Sequence, residues 1–160
     1  MGSSMVSKVE TNPEFQDWDV LAALLRKAYA PMAGRIDPPS SLTTMTRDDI
    51  AAKARVEDLF LIRDADLPIA CGFGAPQGDA YEIGKVAVAD THRRRGLARA
   101  LIEAAAAHAR AQGFGTLQLY ARIELTENRA TYEALGFHIA ADFTHPGFTR
   151  PTAHFFQRAL

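Results

Sequence analysis

Hydrophobic and polar positions along the chain change period several times, and each change marks an element. Leu21, Leu24, Leu25 and Ala28 form an i, i+3, i+4, i+7 stripe. The stripe predicts an amphipathic helix from about Phe15 to Tyr29, ended by Pro31 and Gly34. Residues 31–45 lose both periods and read as a loop centred on Pro38-Pro39-Ser40-Ser41. Thr46, with Asp49 three residues on, has the form of a capped helix start and predicts a short helix to about Val56. Three apolar runs follow, Leu59–Arg63, Leu67–Gly74 and Tyr81–Ala89. They are separated by turns at Asp64-Ala65-Asp66 and at Ala75–Asp79, and such short spacings favour an antiparallel meander.

The period then returns to 3.6. Leu97, Leu101, Ala104, Ala105 and His108 predict a helix from about Arg95 to Gln112, closed by Gly113. A strand is expected over Thr116–Ile123, a helix over Glu127–Leu135 closed by Gly136, and strands over Ile139–Phe143 and Ala153–Arg158. The order is a helical N-terminal part, a three-stranded meander, then helix–strand–helix–strand–strand. This is a mixed α/β sheet. No internal repeat or low-complexity stretch interrupts it, and 160 residues suit a single domain spanning 1–160. Within it Gly2-Ser3-Ser4 reads as a frayed end or an appended remnant.

Charge adds one asymmetry. The formal net charge is −1, which argues against a nucleic-acid partner, since such proteins usually carry a basic excess. Residues 1–80 hold 8 basic and 12 acidic side chains, whereas residues 81–160 hold 10 and 7. All five histidines lie in the second half, as does the run Arg93-Arg94-Arg95. One cysteine, Cys71, permits neither an intramolecular disulfide nor a cysteine zinc site. Its neighbours Ile69, Ala70 and Phe73 make it a buried structural thiol. The N-terminus lacks the apolar core of a signal peptide, and no run approaches a membrane span. A soluble, cytoplasmic protein without a membrane partner is the expectation.

Candidate chemistry concentrates after Val86-Ala87-Val88. A strand ends, Ala89–His92 turns, and a helix begins at a glycine: Arg93-Arg94-Arg95-Gly96-Leu97-Ala98. A helix N-terminus offers unpartnered N–H groups and partial positive charge. The lack of bulk at Gly96 and Ala98 lets a phosphate approach the backbone. A Walker loop is absent, and so is a dinucleotide Gly-x-Gly-x-x-Gly. The segment does fit Arg/Gln-x-x-Gly-x-Gly/Ala through Arg93, Gly96 and Ala98. Further on, Tyr132-Glu133-Ala134-Leu135-Gly136-Phe137 fits Tyr-x-x-Leu-Gly-Phe. In these motifs and their order, residues 58–160 resemble the Gcn5-related N-acetyltransferases, the GNAT family.

That resemblance implies a mostly antiparallel mixed sheet with a V-shaped splay after the fourth strand, flanked by helices. It implies acetyl-coenzyme A as cosubstrate and no metal. Val86, Ala87 and Val88 would hold the pantetheine arm as a missing strand does. Arg93, Arg94, Arg95, Gly96, Leu97 and Ala98 would surround the phosphates. Tyr132 matches the tyrosine that protonates the departing thiolate, and Glu82 resembles the general base, with Glu124 as the competing carboxylate. Leu125 stands where many members carry a pantetheine-binding asparagine; Asn128, three residues on, either contacts the cosubstrate or caps a helix. Direct transfer in a ternary complex is the default, and Cys71 as an acyl carrier is the rival route.

The acceptor side would draw Tyr29, Arg35, Asp37, Ser40 and Ser41 from the first loop region. Tyr120 and Arg122 would come from the strand after the long helix, and His145–Phe148 with Arg150–Thr152 from the last loop. Arg35, Arg122 and Arg150 suit a carboxylate or phosphate on the acceptor, and the acidic first half suits a cationic amine. His145 and His154 lack a third ligand for a metal. A primary amine on a small polar metabolite is the leading acceptor. A protein N-terminus or lysine, and a non-catalytic coenzyme-A sensor, are the alternatives. Members often form homodimers, but no surface in this sequence specifies one.

Overall fold

A computed structural model describes residues 5–160, so Gly2-Ser3-Ser4 lies outside the described residues. Seven strands form one sheet: β1 (Glu10–Thr11), β2 (Asp58–Asp64), β3 (Leu67–Gln77), β4 (Ala80–Val88), β5 (Thr116–Arg122), β6 (His138–Phe143) and β7 (Ala153–Ala159). Their order across the sheet is β1-β2-β3-β4-β5-β7-β6. Every neighbouring pair is antiparallel except β4 with β5. The helices are α1 (Trp18–Tyr29), α2 (Arg47–Val56), α3 (Leu97–Ala111) and α4 (Thr126–Ala134). This is the expected mixed, mostly antiparallel architecture.

Two cores sandwich the sheet. On one face Leu21, Ala22, Leu25 and Ala28 of α1 and Ile50 of α2 pack on Leu59, Leu61, Cys71, Phe73 and Ala87. On the other, Leu101, Ile102, Ala105, Ala106 and Ala109 of α3 pack on Phe60, Ile62, Tyr81, Ile83, Leu117 and Phe156. The predicted stripes are the ones buried, as the hydrophobic effect requires. The Thr46–Asp49 capping box forms, with side chain and backbone bonded in both directions.

Boundaries differ in places. The stretch Ala75–Asp79 is not all turn: β3 runs on to Gln77, and the hairpin closes over Gly78 and Asp79, with Gly78 at φ 58°. Pro76 is tolerated because β2 stops pairing at Gly74, which leaves β3 an edge there. The helix expected from Arg95 begins at Leu97, and the one expected from Phe15 begins at Trp18. β1 has only two residues, too few to show an alternation.

Candidate functional site

The site starts from a fault in the register of β4. Ala87 pairs with Cys71 and Gly84 with Phe73, so Lys85 and Val86 together oppose Gly72. This is a β-bulge, and Lys85 takes φ 53° to make it. The extra residue reverses the inside–outside parity. Tyr81 and Ile83 lie in the α3 core before the bulge, whereas Ala87 lies in the α1 core after it. Val86 and Val88 then pack against the α3 side. β5 pairs with β4 only at Tyr81–Leu117 and Glu82–Gln118. From Ile83 onward β4 has no β5 partner, and a cavity of about 870 Å³ opens in the gap. That volume suits a bound organic molecule. Val86 and Val88, the expected ladder residues, line it.

At the end of β4 the chain makes a 3₁₀ turn, Asp90–His92, and then the arginine run. Arg94 at φ 65° and Gly96 at φ 73° both occupy the left-handed region. Turns of this kind gather N–H groups into anion-binding concavities. The first N–H groups of the 15-residue α3 open at the same point. Arg93, Arg94 and Arg95 are exposed, Leu97 is buried as the helix anchor, and Ala98 lines the cavity. The turn is fastened from behind. His92 Nε2 lies 2.8 Å from Asp64 Oδ2, and its Nδ1 lies 2.7 Å from Thr91 Oγ1.

Three phenols reach the cavity wall, those of Tyr29, Tyr120 and Tyr132. Tyr132 of α4 stacks edgewise on Phe137 and beside Phe156, with centroids 6.0 and 5.7 Å away. Burial raises its pKa, so the hydroxyl stays protonated. Tyr29, at the end of α1, donates from Oη to the carbonyl of Val86 at 3.0 Å. Burial, then the proximity of Tyr132 and Cys71, pushes its pKa up as well. Tyr29 is therefore tied to the bulge, a role the sequence reading did not give it.

The two carboxylates separate. Glu82 lines the cavity and accepts a 2.8 Å hydrogen bond from Gln118 Nε2 across the last β4–β5 pair. Glu124 Oε2 accepts from the Asp37 amide at 3.2 Å, and its Oε1 is buried without a partner among the described residues. Asn128 sits in the first turn of α4, whose N-cap is Leu125 and carries no side-chain cap bond. The capping alternative for Asn128 is thus not how this helix starts, and Asn128 lines the cavity. Cys71 is fully buried, and burial pushes its thiol up to about 12. A thiol that stays protonated is a poor nucleophile.

Of the expected acceptor-side arginines, all three brace the first loop. Arg35 makes two bonds to the Glu127 carboxylate, at 2.6 and 2.9 Å, and a third to the Glu124 carbonyl at 3.1 Å. Arg122 donates to the carbonyls of Pro38 and Pro39, and Arg150 lies 3.3 Å from Asp37. Ser40, Ser41, Tyr120 and Arg122 do line the cavity; of the last loop, His145 forms part of its wall. Burial, and then Arg122 nearby, lowers the His145 pKa, so the ring is neutral near pH 7. Tyr120 stacks on Phe143 and Phe155, at 5.5 and 4.9 Å between centroids. Lys53, Glu57, Phe73 and Lys85 are wall residues that the sequence reading missed. For Lys85 a signal existed: Gly84-Lys85 interrupts an otherwise apolar strand, which marks a bulge.

The sequence profile described as the acetyltransferase (GNAT) family matches residues 18–137. No curated protein matches at a significant level. Solved structures are similar across nearly the whole chain. The PaiA N-acetyltransferase of Thermoplasma acidophilum, in complex with coenzyme A, has a TM-score of 0.78 at 10% identity, covering 96% of this chain and 100% of that one. A GNAT family acetyltransferase from Elizabethkingia anophelis with acetyl-CoA bound has a TM-score of 0.67 at 17% identity, with coverages of 96% and 99%. A ribosomal-protein alanine N-acetyltransferase from Escherichia coli gives 0.65 at 21% identity, with coverages of 94% and 93%.

Proposed function

Because the chain belongs to the GNAT family of acetyltransferases, we propose that it moves acetyl from acetyl-coenzyme A to a primary amine of a small polar molecule. Transfer is direct, with both substrates bound, in the cytoplasm. One observation carries the reading: β4 loses its β5 partner beside a cavity that reaches from Ala98, at the arginine loop, to Glu82 and Tyr132. The parts fit the cosubstrate. An open strand edge suits an amide-bearing arm. A loop with two left-handed positions at the head of α3 suits a pyrophosphate.

Val86, Ala87 and Val88 would bind the arm through their backbone, and Asn128 would meet it from α4. The loop amides from Arg94 to Ala98 would take the pyrophosphate, with Arg93, Arg94 and Arg95 around the remaining phosphate. Acetyl-coenzyme A supplies the acetyl group as an activated thioester. Glu82 would take a proton from the amine, directly or through water, so that a neutral nitrogen attacks. Tyr132 Oη, kept protonated by burial, would hand its proton to the departing sulfur. The protonated, enclosed Cys71 supports direct attack over an acyl-cysteine route.

The test is thiol release from acetyl-coenzyme A with a panel of small amines and amine-bearing peptides. Small amines are expected to drive release, and Glu82→Gln to lower kcat by roughly 10²-fold. Tight cosubstrate binding with no release for any amine would overturn the reading in favour of a sensor. Release with peptides alone would overturn the small-molecule acceptor.

A further inference from the structure

Six charged or titratable side chains other than the phenols line the cavity: Lys53, Glu57, Glu82, Lys85, Arg122 and His145. Lys53 and Glu57 neutralise one another at 2.7 Å along α2. The neutral His145 ring is held through Nδ1 by Thr152 Oγ1, which also accepts from the His145 backbone N–H at 3.0 Å. Glu82, Lys85 and Arg122 are left.

None of these three has a partner of opposite charge within ion-pair distance among the described residues. Glu82 is bonded to the neutral amide of Gln118. Lys85 Nζ donates to the hydroxyl of Ser41 at 2.6 Å. Arg122 spends its donors on two backbone carbonyls. Lys85 and Arg122 are also partly withdrawn from water. Burial lowers the pKa of each; the charges of Lys53 and Arg122 depress Lys85 further against a smaller opposing pull from Glu57, and Glu124 and Asp37 oppose the shift at Arg122 without cancelling it. A half-buried cation compensated only by a hydroxyl or carbonyls is less well satisfied than one facing an oxyanion. The bulge produces this arrangement. By reversing the parity of β4 it turns Lys85 toward the cavity beside Arg122, three residues beyond Glu82 on the same strand.

A cavity with one carboxylate and two cations outside any ion pair is complementary to a molecule that bears both signs. Resting on the small-amine reading above, we infer that the accepted amine carries a compact oxyanion, which Lys85 and Arg122 hold while its nitrogen faces Glu82. The acceptor class is then an amino acid or an amino-phosphate rather than a simple amine or polyamine. Lys85 is a specificity residue in this scheme: it binds the far end of the acceptor and takes no part in the proton transfers.

The experiment compares kcat/KM across matched sets: one amine as its carboxylate, its phosphate monoester, its neutral carboxamide and its diamine. At least one oxyanionic member is expected to exceed the carboxamide by about tenfold, equivalent to about 1.4 kcal/mol; whether carboxylate or phosphate leads identifies the oxyanion. Lys85→Gln keeps a donor for Ser41 and should bring that ratio toward one. Lys85→Glu should turn the preference to the diamine. The inference is overturned if the carboxamide equals or exceeds both oxyanionic members in the unaltered protein. It is equally overturned if the preference survives in a folded Lys85→Gln variant. Acetylation of small amines in those cases leaves the proposed activity standing. Failure of every small amine, with peptides acetylated, overturns the proposed activity and this inference with it.

Discussion

At the scale of single residues, two of the three phenols in the cavity, Tyr29 and Tyr132, divide their duties by what surrounds each. Tyr29 Oη is committed to the Val86 carbonyl. It therefore acts on the shape of the bulge. Tyr132 is held by ring contacts with Phe137 and Phe156, which fix the ring and leave its hydroxyl at the cavity. Removal of that one oxygen preserves the ring packing, so Tyr132→Phe should melt within a few degrees of the unaltered protein. Its kcat should nevertheless fall by roughly 10²-fold, the usual lower range for a lost general acid. Burial raises the phenol's pKa above its ordinary value of about 10. Its proton is therefore present throughout the neutral range, and an alkaline decline should begin only above about pH 10. In Tyr132→Phe that decline should vanish. An unaltered kcat and an unaltered alkaline limb would reduce Tyr132 to a core aromatic.

At the scale of elements, one carboxylate ties β2 to β4, to α3 and to the residue that follows β1. Asp58, the first residue of β2, accepts from Tyr81 Oη of β4 at 2.6 Å and from Asn12 Nδ2 at 2.8 Å, with His108 Nε2 of α3 at 3.1 Å. Gly74 leaves room for this: a Cβ there would come within 2.3 Å of the Tyr81 hydroxyl. Burial alone would raise the Asp58 pKa, but its bonds to Tyr81, Asn12 and His108 outweigh that and hold it below the usual value. A depressed carboxylate stabilises the fold above its unfolded pKa of about 3.9, and the contribution is lost as pH falls through the native value. Melting temperature should therefore drop on acidification below about pH 4. Asp58→Asn should melt about 2–6 °C lower at pH 7 and decline less steeply across the acid window. Parallel declines in the two proteins would show that the acid sensitivity arises elsewhere.

At the scale of the whole molecule, what was legible in the sequence was whatever short spacing encodes. The α3 stripe, the Thr46 cap and the order of strands along the chain are local patterns, and so is the glycine that opens α3. Gly84-Lys85 marked a break in the strand, but the register of the bulge was not legible, because register exists only once β3 lies beside β4. Nor were the braces. Arg35 finds Glu127 and Arg150 finds Asp37 across 92 and 113 residues, and no periodicity connects such pairs. Those braces fasten the loop between α1 and α2, which closes the cavity through Ser40 and Ser41, to the start of α4 and the last loop. The Arg35–Glu127 pair is exposed, and exposed ion pairs contribute little to global stability. Its effect should therefore be local. Arg35→Ala is expected to leave the melting temperature nearly unchanged while amide exchange over residues 33–45 accelerates. KM for the acceptor should rise several-fold, with KM for acetyl-coenzyme A unmoved, if the loop borders the end proposed here for the acceptor and the arginine run lies at the other. Equal changes in both KM values, or slow exchange retained in the loop, would mean that the loop holds its place through Leu42 and the α1 core instead, and that Arg35 is only a surface charge.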